Sequence, residues 1–153
     1  MLKHFLLRYQ FVLLLFLPLS IVAQDNSIYV TGGALVLVNS LNFNYEHKVS
    51  ESETNQGLYV KSTIGQLWTA TLFGDGDDDS NNNLYLSVGG VYLLGHNASS
   101  FEMGLGIGHF SRSDFSRAVP VANVGYRYMG KRSIFRTGIG FLEGLYLSYG
   151  YRF

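Results

Sequence analysis

The second half of the chain alternates with a period of two, and the two faces this creates are unlike each other. In 144–153, Leu145, Leu147, Tyr149, Tyr151 and Phe153 share one face, and Tyr146, Ser148, Gly150 and Arg152 share the other. Residues 133–142 set Phe135, Thr137, Ile139 and Phe141 against Arg136, Gly138 and Gly140. Residues 119–129 set Ala122, Val124, Tyr126 and Tyr128 against Asn123, Gly125 and Arg127. In 100–111, Phe101, Met103, Leu105 and Ile107 oppose Glu102, Gly104, Gly106 and Gly108. An earlier segment repeats the scheme, with Leu41, Phe43 and Tyr45 opposite Asn42, Asn44 and Glu46. No stretch after Asp25 sustains the i, i+3, i+4, i+7 spacing of a helix. The pattern predicts eight strands, over 27–35, 40–49, 58–72, 84–95, 100–111, 119–129, 133–142 and 144–153. Turn-forming runs separate them at 50–57, 74–83, 96–99 and 130–132, and very short connections are required near 36–39 and 142–144.

The identity of the two faces decides the class. A soluble sandwich or lipocalin-like barrel turns its large apolar face inward and a charged face to water. Here the face opposite the large apolar residues is mainly glycine, which weakens an exposed strand and adds no solubility. Small residues suit the inside of a narrow barrel whose apolar face meets lipid. Only 14% of residues are charged, against about 25% in an ordinary soluble domain. Strands of about 9–11 residues cross a bilayer when tilted, and closure is obligatory there because an open edge would leave backbone groups unpaired. The expectation is all-β: an eight-stranded antiparallel up-and-down transmembrane β-barrel, one domain over 24–153.

Residues 1–23 read as a cleaved signal peptide. Lys3 and Arg8 charge its start, an apolar run begins at Phe11, and Ala23 offers a small residue for cleavage before Gln24. The uncharged run from Tyr9 to Ala23 is shorter than the ~18–20 residues of a membrane-spanning helix, and Pro18 interrupts it. Removing Lys3 and Arg8 from eleven basic residues leaves nine against eleven acidic ones, a net charge of −2. There is no basic field for a nucleic acid, and with no cysteine there is no disulfide scaffold, thiol nucleophile or Cys-based zinc site.

With Phe153 at the end of an alternating apolar strand, the chain resembles bacterial outer-membrane β-barrel proteins, whose last strand ends in an aromatic. The stretch from Phe135 to Phe153 is similar to the ending of small barrels of Bacteroidota, and Ser40 to Glu46 is similar to an early strand of the same group. The resemblance implies the outer membrane of a Gram-negative cell. It also implies that Leu147, Tyr149, Tyr151 and Phe153 form a signal read by the barrel-assembly machinery. It carries no defined activity.

If both ends of the barrel domain are periplasmic, Glu46, Lys61, Glu102, Arg127, Arg136 and Arg152 all point inward and lie toward the periplasmic side. Charges facing lipid near the midplane cost ~2–4 kcal/mol each, so a luminal charge network is the coherent placement. The expectation is an ion-pair network that fills the lumen; the competing reading is a narrow gated pore.

Two further groups bear chemistry. The loop Asp75-Gly-Asp-Asp-Asp-Ser-Asn-Asn-Asn83 places Asp75, Asp77 and Asp79 like the first ligands of a calcium loop. Ser80 and Leu86 stand where such a loop needs Gly and Glu, so a solvated surface tip is the primary reading. His109 and Ser111 share a strand face, and His-x-Ser resembles the motif of the outer-membrane lipid A 3-O-deacylases. That resemblance would make His109 a general base and Ser111 a nucleophile in an enzymatic alternative, lipid A acyl hydrolysis. The family's acidic partner has no counterpart at the matching distance, Asp114 being nearer and in a loop. Gly104-x-Gly106-x-Gly108 is followed by no helix and is not a nucleotide fingerprint. The primary expectation is a non-enzymatic monomer without cofactor, with an envelope-structural or surface-interaction role among outer-membrane lipid and lipopolysaccharide.

Overall fold

The computed structural model describes residues 26–35, 38–50, 56–69, 83–96, 98–111 and 118–153. The expected signal peptide, the acidic loop with Asp75, Asp77 and Asp79, residues 70–72 assigned to the third strand, and Asp114 lie outside the described residues.

Eight strands follow one another: β1 (Asn26–Leu35), β2 (Val38–Lys48), β3 (Gly57–Thr69), β4 (Asn83–His96), β5 (Ser99–Phe110), β6 (Ala118–Met129), β7 (Ser133–Gly140) and β8 (Gly144–Arg152). Each pairs antiparallel with the next, and β1 pairs with β8, so the sheet closes into a barrel. Closure is reinforced where the first and last strands meet. Asn26 and Phe153 exchange backbone hydrogen bonds of 2.9 Å in both directions. Closure pairs every strand on both sides and leaves no open edge.

The register is staggered. Successive partners run from Ser27 on β1 through Glu46, Lys61, Gly89 and Gly106 to Val121 on β6. Ser27 lies at the end where β1 begins and β8 finishes (the near end), whereas Val121 lies toward the opposite, far end. A row of partners therefore climbs around the wall, as tilted strands in a closed barrel require.

Alternation sorts the side chains as the sequence pattern indicates. Leu105, Tyr149 and Phe43 are 75%, 68% and 60% exposed on the outside, and large apolar residues stand outward on all eight strands. Among the described strand residues, no outward position is Asp, Glu, Lys or Arg. The inner face is not glycine alone. Near its near end the lumen is filled by Tyr29, Tyr59, Val91, Leu93, Met129 and Ile134.

Several inward glycines stand where another group needs the space. A Cβ at Gly138 would lie 2.3 Å from the Val124 carbonyl oxygen and 2.7 Å from the Tyr146 hydroxyl. One at Gly125 would lie 2.4 Å from the same hydroxyl, so these two glycines make room for the inward Tyr146 ring. Gly144 has a φ of 64°, the left-handed turn that ends the short β7–β8 connection. Outward-facing Gly32, by contrast, has nothing within 4 Å of a Cβ. Gly138→Ala is therefore expected to lower unfolding stability by ~1–3 kcal/mol, since backbone must shift to admit it. Gly32→Ala should cause no loss, and urea titrations of the two variants followed by Trp68 fluorescence test the contrast.

Candidate functional site: a buried ion cluster across the lumen

Arg127 on β6 and Arg136 on β7 are directly paired in register. Two cations opposite each other repel, so this pairing holds only if anions are brought to it. The barrel supplies them from both sides. Glu102 comes from β5, next to β6, and Glu46 comes from β2, across the lumen.

The geometry is close and multiply bonded. Arg127 donates from Nε to Glu102 Oε2 at 2.8 Å, from Nη1 to Glu46 Oε2 at 2.7 Å and from Nη2 to Glu46 Oε1 at 3.0 Å. Arg136 donates to both oxygens of Glu102, at 2.8 and 2.5 Å, and its Nη1 lies 3.9 Å from Glu46 Oε1. Tyr146 donates to Glu102 Oε1 at 2.6 Å and Asn123 Nδ2 does so at 3.2 Å, while the Tyr29 hydroxyl donates to Glu46. The aromatic rings also face the cations, with Arg136 Cζ 4.4 Å from the centre of the Tyr29 ring and Arg127 Cζ 5.5 Å from that of Tyr59. All four charged side chains are fully or almost fully buried. Fork-like guanidinium bonds to carboxylates are the geometry in which burial of such charges is best compensated.

A second polar layer lies beside it. Thr63 donates to Asn44, Asn44 donates to Thr31 at 3.0 Å, and Thr31 shares a 2.7 Å hydrogen bond with Ser148, linking β3, β2, β1 and β8. Toward the far end, Glu143 turns inward from the β7–β8 connection. It accepts a 3.4 Å hydrogen bond from Asn42 and sits 3.7 Å from Lys61 Nζ. Gly33 permits this, because a Cβ there would lie 2.2 Å from the Glu143 carbonyl oxygen. Lys61 Nζ, Ser40 Oγ and Asn42 Oδ1 are buried without a hydrogen bond among the described residues.

The sequence placed Glu46, Lys61, Glu102, Arg127 and Arg136 in the lumen, and all five are buried there. Four of them form the cluster. Lys61 instead reaches away from its cross-strand neighbour Glu46, whose oxygens Arg127 and Tyr29 engage, toward Glu143. Arg152 is half-exposed at the near rim opposite Ser27, and its backbone N–H donates to the Arg132 carbonyl at 2.9 Å. Glu143 was missed because it lies in a turn, where strand parity assigns no direction; its neighbour Gly144 was the available signal. With Glu143 included, the buried charges among the described residues are balanced, Glu46, Glu102 and Glu143 against Lys61, Arg127 and Arg136.

His109 and Ser111 lie at the far end of β5, both exposed on the outer side. The Ser111 backbone N–H donates to the Leu84 carbonyl at 2.9 Å, and among the described residues the His109 ring makes no hydrogen bond. Leu147, Tyr149, Tyr151 and Phe153 all stand outward along β8 and beyond it, with the Tyr151 and Phe153 rings stacked at 6.5 Å. Among the described residues no group of three His, Asp or Glu is placed to hold a metal ion.

Removing one partner of such a cluster strands buried charge, and that sets its cost. Arg136→Ala is expected to destabilise the barrel by ~3–5 kcal/mol. Lys131→Ala, at an exposed turn, should change stability by no more than ~0.5 kcal/mol. Urea unfolding midpoints measured in one detergent distinguish the two.

No family model and no curated protein matches the chain. Among solved structures it is similar to the crystal structure of the outer membrane enzyme PagL, with 12% sequence identity and a TM-score of 0.42, covering 82% of this chain and 96% of that one.

Proposed function

We propose that the protein is an integral outer-membrane β-barrel with a closed lumen and a non-enzymatic role in envelope structure or surface interaction. The observation that carries this reading is the outer wall. Large apolar residues face outward on all eight strands, and no outward strand position among the described residues bears a charge. A typical soluble monomer exposes its largest apolar patch over only ~300–600 Å². A belt around a whole barrel matches a hydrocarbon surround, and placing the charges inside avoids the cost of setting them in lipid.

The apolar start of the chain and its resemblance to small Bacteroidota barrels support export to the outer membrane of a Gram-negative cell. On this reading the near end is periplasmic and the loop at 74–83 is outside the cell. Outward Phe101, Tyr126, Tyr128, Phe135 and Tyr151 then form one interfacial girdle, with Trp68 and Phe141 in the opposite one. The partners are lipid, lipopolysaccharide and, during biogenesis, the barrel-assembly machinery, and the barrel acts as a monomer. The packed lumen favours a plug over a diffusion pore, because the ion cluster and the apolar layer beside it occupy the path.

Expression in a Gram-negative host should place the protein in the outer-membrane fraction, with a gel mobility that shifts on heating. A fully soluble product would overturn the reading. In planar bilayers the wild type should pass no steady current, and a steady open conductance would replace the plug with the narrow-pore reading. Release of an acyl chain from lipid A on overexpression, abolished by Ser111→Ala, would replace the non-enzymatic reading with hydrolysis at His109 and Ser111.

A further inference from the structure

The outer wall carries a groove of about 970 Å³ that the luminal chemistry does not use. Two neighbouring rows of outward side chains bound it. One row is Tyr149, Val30, Phe43, Ile64 and Leu86, each paired with the next across β8, β1, β2, β3 and β4. The other is Tyr151, Ile28, Tyr45 and Ser62, similarly paired. Because the register climbs, the groove runs obliquely from the near rim into the far half of the wall. Strands lie about 4.8 Å apart, so five of them give it a length of roughly 20 Å.

Its two ends differ in chemistry. At the near rim the lining is Lys131, Arg132 and Ser133, from the connection between β6 and β7 and the first residue of β7. Lys131 and Arg132 are exposed. Away from the rim the walls are aliphatic and aromatic, and Val30 and Ile64 stand 39% and 48% exposed beside the larger Phe43 and Tyr149. A basic end joined to an elongated apolar channel is complementary to an amphiphile with an anionic head and a hydrocarbon tail.

We propose that this groove binds an anionic glycerophospholipid, with one acyl chain laid along the two rows and the phosphate held by Lys131 and Arg132. The proposal rests on the membrane reading, which puts the near rim at the level of phospholipid headgroups. An ammonium and a guanidinium side by side favour a head carrying net negative charge over a zwitterionic one. The oblique course lets the chain descend from that head toward the bilayer midplane while staying on protein.

The test uses the full chain, expressed in a Gram-negative host and extracted from its membrane fraction in mild detergent. The protein is equilibrated with mixed micelles of equal phosphatidylglycerol and phosphatidylethanolamine, and retained lipid is counted by native mass spectrometry. The wild type should retain one phosphatidylglycerol in preference. The double variant Lys131→Gln, Arg132→Gln should weaken that retention roughly 10-fold. Val30→Trp, which obstructs the groove but leaves both cations in place, should abolish it. Equal retention of the two lipids by the wild type, or undiminished binding by Val30→Trp, would overturn the site. If the protein reaches the membrane with a heat-shifted band but shows no lipid preference, the groove proposal alone fails. Absence from the membrane fraction removes the membrane reading and the proposal with it.

Discussion

The barrel depends on a conflict that its own register creates. Pairing Arg127 with Arg136 sets two guanidiniums on adjacent strands inside a narrow closed space. Their separation cannot grow without breaking the sheet, so the remedy is electrostatic. Glu102 reaches both cations from the neighbouring strand, and Glu46 reaches Arg127 from the opposite wall. The bond from β2 to β6 spans the lumen and acts as a strut, joining segments 81 residues apart. Ordinary barrel hydrogen bonds join only neighbouring strands. This one fixes the width of the barrel, and the inward rings of Tyr29, Tyr59 and Tyr146 fit around it.

Glycine placement follows from the strut. Tyr146 can donate to Glu102 only if its hydroxyl occupies space beside β6 and β7, and Gly125 and Gly138 supply that space. The same logic holds at the far end, where Gly33 admits the β7–β8 turn that carries Glu143. Gly33, Gly125 and Gly138, on an inner face that reads in sequence as mainly glycine with a few charges, are therefore local recesses for particular larger groups, whereas the paired Gly89 and Gly106 meet only each other's strand backbone. Val91, Leu93, Met129 and Ile134 show the other use of inward positions, as an apolar layer at the near end. A water-filled channel would leave such residues exposed to solvent. Packed together, they fill the lumen beneath the charges.

The strands and their faces were legible in the sequence because a period of two is set by backbone geometry alone. The expected start at 100 and the observed start at Ser99, or 133 and Ser133, differ by at most one residue. Inward placement of Glu46, Lys61, Glu102, Arg127 and Arg136 followed from the same parity. Which charges meet did not follow, since that depends on stagger, and stagger accumulates around the whole closed sheet. Lys61 illustrates the point, being paired in register with Glu46 yet directed toward Glu143. Glu143 itself escaped because it lies between strands, where alternation stops. The wall groove was likewise invisible, since its rows run across five strands rather than along any one of them.

The two charge systems of the chain thus differ in how they are bound. Inside, among the described residues, three buried carboxylates face three buried cations. The fixings are nevertheless graded. The four-residue cluster is held by hydrogen bonds of 2.5–3.0 Å, whereas Lys61 and Glu143 meet at 3.7 Å with no hydrogen bond to Nζ among the described residues. The strong set lies toward the near end, beside the apolar layer, and the weak contact lies beneath a three-residue turn at the far end. The difference is one of bonding: the far-end contact is one long ion pair and one 3.4 Å hydrogen bond, whereas the strut is a set of short charge-assisted bonds shared by four side chains.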